Sequence, residues 1–183
     1  MNINDNERIN AKFELRKSGV ECPMCPDEED ADVVAVLPSG KVHLQNDADY
    51  RGYCILIFRR HAVELHELNE AERRQWIEDL SLLGRAITEV CTPAKLNISM
   101  LGNMMPHLHC HIMPRYPEDP DWGHPPAYRR PADRHKLSPD QYDSLKDSLV
   151  AALRIAATAG SSLPAANSTK MPSSAPSASN EIV

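Results

Sequence analysis

The chain has 183 residues, 42% of them hydrophobic, and a formal net charge of −6, which fits one compact domain plus some tail. The negative balance argues against a general electrostatic grip on nucleic acid or on an anionic membrane. No apolar stretch approaches the roughly 18 residues that span a bilayer, and the polar residues 1–10 hold no signal-peptide core, so the expected compartment is the cytoplasm.

Residues 6–18 predict a short helix that ends at Gly19. Cys22-Pro23-Met24-Cys25 follows, in a chain with five cysteines. In a reducing compartment that spacing favours metal or redox chemistry over a structural disulfide. An acidic run covers residues 27–32. Residues 33–37 are largely β-branched and predict a strand, Pro38-Ser39-Gly40 a turn, and residues 42–44 the start of a second strand, together a hairpin. The apolar run 53–58 predicts a central strand, introduced by Gly52 and ended by Arg59-Arg60-His61. Asn69 with Glu72 three residues on reads as a capping box, and Trp76, Leu80, Leu83, Ile87 and Val90 recur at helical spacing up to Thr92-Pro93. Residues 95–100 and 108–113 predict two more strands, hairpin partners with Leu101-Gly102-Asn103 between them. Residues 114–131 contain six prolines and Trp122, a rigid extended segment that is neither helix nor central strand. Ser138-Pro139 opens a last helix, with Tyr142, Leu145, Leu149 and Leu153 on its apolar face. Beyond it the chain is Ala, Ser and Pro with almost no large apolar groups, so one domain is expected over residues 1–157 and a disordered tail over 158–183.

The informative segment is Pro106-His107-Leu108-His109-Cys110-His111-Ile112-Met113-Pro114. Side chains on a strand alternate between faces, so His107, His109 and His111 are expected on one face, roughly 7 Å apart, and Leu108, Cys110 and Ile112 on the other, in the core. A core rarely repeats a polar titratable group in strict alternation. Two functional readings follow: metal binding, because imidazole is the commonest metal ligand, or phosphate chemistry, in which a neutral histidine attacks phosphorus while its neighbours donate hydrogen bonds.

The pattern His-apolar-His-apolar-His-apolar-apolar resembles the histidine triad family of nucleotide hydrolases and transferases. The resemblance covers roughly residues 22–116. It includes Leu101-Gly102-Asn103 and Pro106 before the triad, Pro114-Arg115 after it, the strand from Gly52 with His61, and the helix from Asn69. Within the family the chain most resembles bacterial proteins of the diadenosine tetraphosphate hydrolase-like branch. The resemblance implies an α+β fold: an antiparallel sheet of about five strands with a main packing helix, and here a C-terminal helix as well. It implies His109 as the nucleophile on the α-phosphorus of a small-molecule nucleotide. The nucleotidyl-histidine intermediate would then be cleaved by water, or by phosphate in a phosphorylase. His111 and Asn103 would contact the phosphate. A homodimer formed by joining sheets is implied too. Some bacterial members bind structural zinc through an N-terminal Cys-x-x-Cys, a histidine ending the central strand and the first triad histidine; the matching residues are Cys22, Cys25, His61 and His107, a Cys₂His₂ set suited to zinc.

The chain departs from the family at three points. Tyr53 follows Gly52 where many members have histidine, Met104 stands where a Ser or Thr hydroxyl often serves the leaving group, and the loop over residues 97–107 is shorter. Arg59, Arg60 and Arg115 are candidates for positive charge near the site. Trp122 is a candidate for stacking on a base, and Asn46 and Asp49 fall where the family binds ribose. His43 and His66 are expected at the surface. The rivals to catalysis are a zinc-stabilised nucleotide-binding protein with little turnover, and a single catalytic metal held by all three triad histidines.

Overall fold

A computed structural model describes residues 3–25, 33–128 and 130–160. Helix α1 spans Ile3–Lys17, strands β1 Val33–Leu37, β2 Gly40–Leu44 and β3 Cys54–Phe58 follow, then helix α2 Glu70–Cys91, strands β4 Lys95–Ser99 and β5 His109–Arg115, and helix α3 Pro139–Gly160. The five strands form one sheet in the order β1-β2-β3-β5-β4, with every neighbouring pair antiparallel. This is the α+β architecture expected, and both expected hairpin pairings are present.

The sheet has one dry face. Val42, Leu44, Cys54, Leu56, Phe58, Cys110 and Ile112 alternate onto it and pack against Trp76, Leu80, Leu83 and Ile87 of α2 and Leu145, Leu149 and Leu153 of α3. Trp76 is wholly buried, its ring edge-on to Phe58 at 5.6 Å. Asn69 caps α2 in a reciprocal capping box with Glu72, as the sequence signals. The opposite face carries a smaller cluster of Tyr50, Tyr53 and Met113, with Ile55 against it. Register on this face pairs Ile57 with His109 and Ile55 with His111.

Two glycines are required by close approach. A Cβ on Gly40 would stand 1.9 Å from the Ile57 carbonyl oxygen, and Gly52, at φ +92°, would meet the Cys91 sulfur at 2.5 Å.

The histidine strand departs from expectation at both ends. It begins at His109 because Leu108 leaves the regular ladder: its N–H reaches the Ala62 carbonyl, while its own carbonyl accepts from Phe58. It runs on to Arg115 through Pro114, inside the segment expected to hold no central strand. Pro114 is tolerated because its missing donor would face β3, whose ladder ends at Ile112. Helix α3 reaches Gly160, past the expected boundary at 157; the rest of the expected tail, the acidic run and Arg129 lie outside the described residues. Among the described residues no helix is long and apolar enough to cross a membrane.

The proline-rich segment is strapped down by one buried ion pair. Arg115 bonds both oxygens of Asp119, at 2.7 and 2.9 Å, and adds Asn97 at 2.6 Å and the carbonyls of Asp121 and His124. Tyr50 donates to Asp121 at 2.5 Å, tying the strap to the smaller cluster. Both charges are buried, so they are matched donor for acceptor.

Candidate active site and metal centre

His107 lies in the bend before β5 and is 1% exposed. Its Nε2–H donates to the Phe58 carbonyl at 2.8 Å, which leaves the Nδ1 lone pair pointing at Cys22 Sγ, 3.3 Å away, and Cys25 Sγ, 3.6 Å away. His61, just past the end of β3, repeats the arrangement: Nε2–H donates to the Lys17 carbonyl at 2.9 Å, and Nδ1 faces Cys25 Sγ at 3.3 Å. One donor atom from each of Cys22, Cys25, His61 and His107 falls within 4.8 Å of every other. Four donors around a tetrahedral zinc stand about 3.4–3.8 Å apart, so these residues form a possible metal site of the right size. The carbonyl partners also fix both imidazoles in the tautomer a metal needs. The set joins the end of α1, the end of β3 and the start of the histidine strand. Among the described residues it takes in His107 but not His109 or His111. A single metal on all three triad histidines is therefore not the arrangement found.

His109 uses its other nitrogen. Its Nδ1–H donates to the His107 carbonyl at 2.6 Å, which directs Nε2 to His111, 3.1 Å from that ring's Nε2. His109 is 4% exposed. Burial holds its ring below the ordinary imidazole pKa, against the pull of the carbonyl. Burial lowers His111 to about 4, with His109 and the Arg134 guanidinium adding to the effect. Both rings are neutral near pH 7. Tyr53 Oη lies 2.6 Å from Nδ1 of His111, and the Tyr128 ring meets the His111 ring edge-on at 5.2 Å. Arg134 sits over the Tyr53 ring at 5.3 Å, bonded to Gln45 and paired with Asp47.

The sequence-predicted residues separate into two groups. Cys22, Cys25, His61 and His107 come together as one set, and His109 and His111 as a second beside it. Asn103 joins neither: it is exposed, lining a cleft of about 370 Å³ with Phe13, Val63, Leu65 and Leu108. The three arginines that were candidates for charge near the site have other partners. Arg60 bonds both oxygens of Glu72 and secures the cap of α2, Arg59 reaches the Pro38 carbonyl and the same carboxylate, and Arg115 holds the strap. Asn46 accepts from the Leu137 N–H and Asp49 pairs with His135, so both anchor the approach to α3. Trp122 is 45% exposed, and Tyr128 takes the place beside His111. His66 is exposed as expected, while His43 is half-buried. Arg134 and Tyr128 were not legible as site residues. Each arrives by tertiary folding of an irregular segment, with no local motif to mark it.

Two neutral imidazoles, one buried and one half-buried, beside a separate cysteine–histidine cluster and at the start of a strand in a five-stranded antiparallel sheet, restrict the fold family severely. The HIT domain model matches residues 27–118, half of the chain. This protein belongs to the HIT family. Three solved structures illustrate the likeness. A histidine triad protein from Bradyrhizobium japonicum is 33% identical with a TM-score of 0.56, covering 67% of this chain and 87% of its own. One from Marinobacter aquaeolei VT8 is 29% identical with a TM-score of 0.61, covering 68% and 91%. A zinc-bound histidine triad family protein from Mycobacterium smegmatis shares the fold at 21% identity and a TM-score of 0.53, covering 78% and 92%. No curated protein matches the chain. HIT proteins are in general nucleotide hydrolases or transferases, and this chain has their fold.

Proposed function

We propose that this HIT protein is a nucleotidyl hydrolase that cleaves dinucleoside polyphosphates or related AMP conjugates at the α-phosphate through a nucleotidyl-histidine on His109. The observation that carries this reading is the Nδ1–H bond from His109 to the His107 carbonyl, which leaves a neutral Nε2 lone pair as the attacking group. Nε2 forms the P–N bond as the P–O bond to the leaving group breaks. The polyphosphate leaves as its anion, and water then cleaves the P–N bond, releasing the nucleotide and a proton to solvent and regenerating the neutral imidazole. The N–H of His111 donates to a non-bridging oxygen as charge develops there. By the family pattern Asn103 is the amide assigned to the same phosphate. Phosphate in place of water would make the enzyme a phosphorylase.

The metal proposed at Cys22, Cys25, His61 and His107 is zinc. Bound there, it supplies a closed four-donor cross-link rather than a reactive centre, since no ligand position is left for substrate. His107 accordingly supports the fold and lends its carbonyl to His109. None of the five cysteines is in a disulfide, which suits a reducing compartment such as the cytoplasm. Strand β4 is an edge, with Ile98 53% exposed on it, and is the place where a second copy would extend the sheet into the proposed homodimer.

The test is to mix the full chain with diadenosine tetraphosphate and follow adducts and products by mass. An adenylyl adduct on His109 and AMP as product support the hydrolase, and ADP formed only with added phosphate marks the phosphorylase. Nucleotide binding without adduct or product overturns catalysis in favour of a zinc-stabilised binding module.

A further inference from the structure

The proton positions in the site follow from one fixed point. A carbonyl oxygen only accepts, so Nδ1 of His109 carries the proton and the Nε2 of its neutral ring is bare. Nε2 of His111 lies 3.1 Å from that bare nitrogen, so the proton between them belongs to His111. The neutral His111 ring then has a bare Nδ1, and the hydroxyl 2.6 Å from it, Tyr53 Oη, is the donor. Tyr53 is 2% exposed, and burial pushes its phenol up, so the hydroxyl keeps its proton. The phenol is held from behind: Arg134 lies over its ring at 5.3 Å, fixed in turn by Gln45 Oε1 at 3.0 Å and Asp47 at 3.6 Å.

We propose that Tyr53 is a positioning residue for the reaction: by donating to Nδ1 of His111 it keeps the His111 proton on Nε2, the nitrogen that meets the phosphate, and Arg134 holds the phenol in place to do so. The inference rests on the reading of His109 as nucleophile. In the resting site the His111 N–H covers the His109 lone pair. An arriving phosphate oxygen takes that N–H and uncovers the attacking nitrogen, while the bond from Tyr53 keeps the ring from turning away. Without the hydroxyl, the His111 proton is free to move to Nδ1. Two bare nitrogens then face each other across the site, and no donor meets the phosphate. A tyrosine that served packing alone would set neither the tautomer nor the rate.

The test uses the full chain with ¹⁵N-labelled histidine, in wild type and Tyr53→Phe. Long-range ¹H–¹⁵N spectra of the wild type are expected to show His111 protonated at Nε2 and bare at Nδ1. In Tyr53→Phe an Nδ1–H form is expected to appear, with kcat on diadenosine tetraphosphate down by about tenfold or more while KM changes by less than about twofold. An Nδ1–H form in the wild type overturns the inference, and that spectrum decides even if the variant fails to fold. Unchanged kcat or an unchanged tautomer in folded Tyr53→Phe overturns it as well. Absence of any adduct in the wild type overturns the nucleophile reading, whereas a wild-type adduct with unchanged kcat in Tyr53→Phe overturns this inference alone.

Discussion

His107 and His109 stand two residues apart and each gives one ring N–H to a backbone carbonyl, but they do so with opposite nitrogens. His107 spends Nε2–H on Phe58 and turns Nδ1 to two sulfurs; His109 spends Nδ1–H on His107 itself and turns Nε2 to His111. The same device therefore presents Nδ1 to a possible metal site in one case and, in the reading proposed above, Nε2 to a phosphate in the other. Which nitrogen a carbonyl takes decides which one is left for chemistry. The backbone supplies the difference, because His107 lies in a bend and His109 in a regular strand.

That contrast breaks most sharply at His109. His109→Ala is expected to lower turnover by at least about 10³-fold with little change in melting temperature; wild-type turnover in that variant would remove the catalytic half of the comparison. Cys22→Ser is expected to act the other way. It should weaken metal binding and lower the melting temperature by on the order of 10 °C, with zinc content measured in parallel. A Cys22→Ser protein as stable as wild type would remove the structural half. The third effect concerns pH. His111 titrates near 4 when folded and near 6.5 when unfolded, so as pH falls through that window the unfolded chain takes up the proton first and stability drops. Urea unfolding between pH 7 and 4 is expected to show a loss of stability that shrinks by at most about 3 kcal/mol in His111→Asn. Identical pH slopes for the two proteins would show that His111 is not held neutral by folding. The smallest effect is expected at Asn103, where Asn103→Ala should raise KM a few-fold, about 1 kcal/mol, without changing kcat. A fall in kcat instead would place that amide in the transition state.

The sheet was legible because its strands are short apolar runs ended by Gly, Pro or paired arginines, and α2 because Asn69 and Glu72 sign its start. The ends of β5 were less so, since Leu108 leaves the ladder for Ala62, a residue 46 positions away, as its own number and Leu108's show. The partners of the arginines were hidden for a related reason. Their charge is visible in sequence, but the carboxylates of Glu72 and Asp119 that take it become neighbours only by folding. Arg134, the cation that does stand behind the site, sits in a proline-bounded connection with no periodicity or motif to single it out.

By itself the sequence determined the alternation of histidines with core residues and the pairing of two cysteines at metal-ligand spacing, because strand geometry and ligand chemistry are local and repeat every few residues. Only the tertiary structure decided how the three histidines divide between the two sites, and which long-range partners, Phe58, Tyr53 and Arg134 among them, hold each ring. A hydrogen bond depends on distance and direction between residues dozens of positions apart, and no spacing along the chain encodes either.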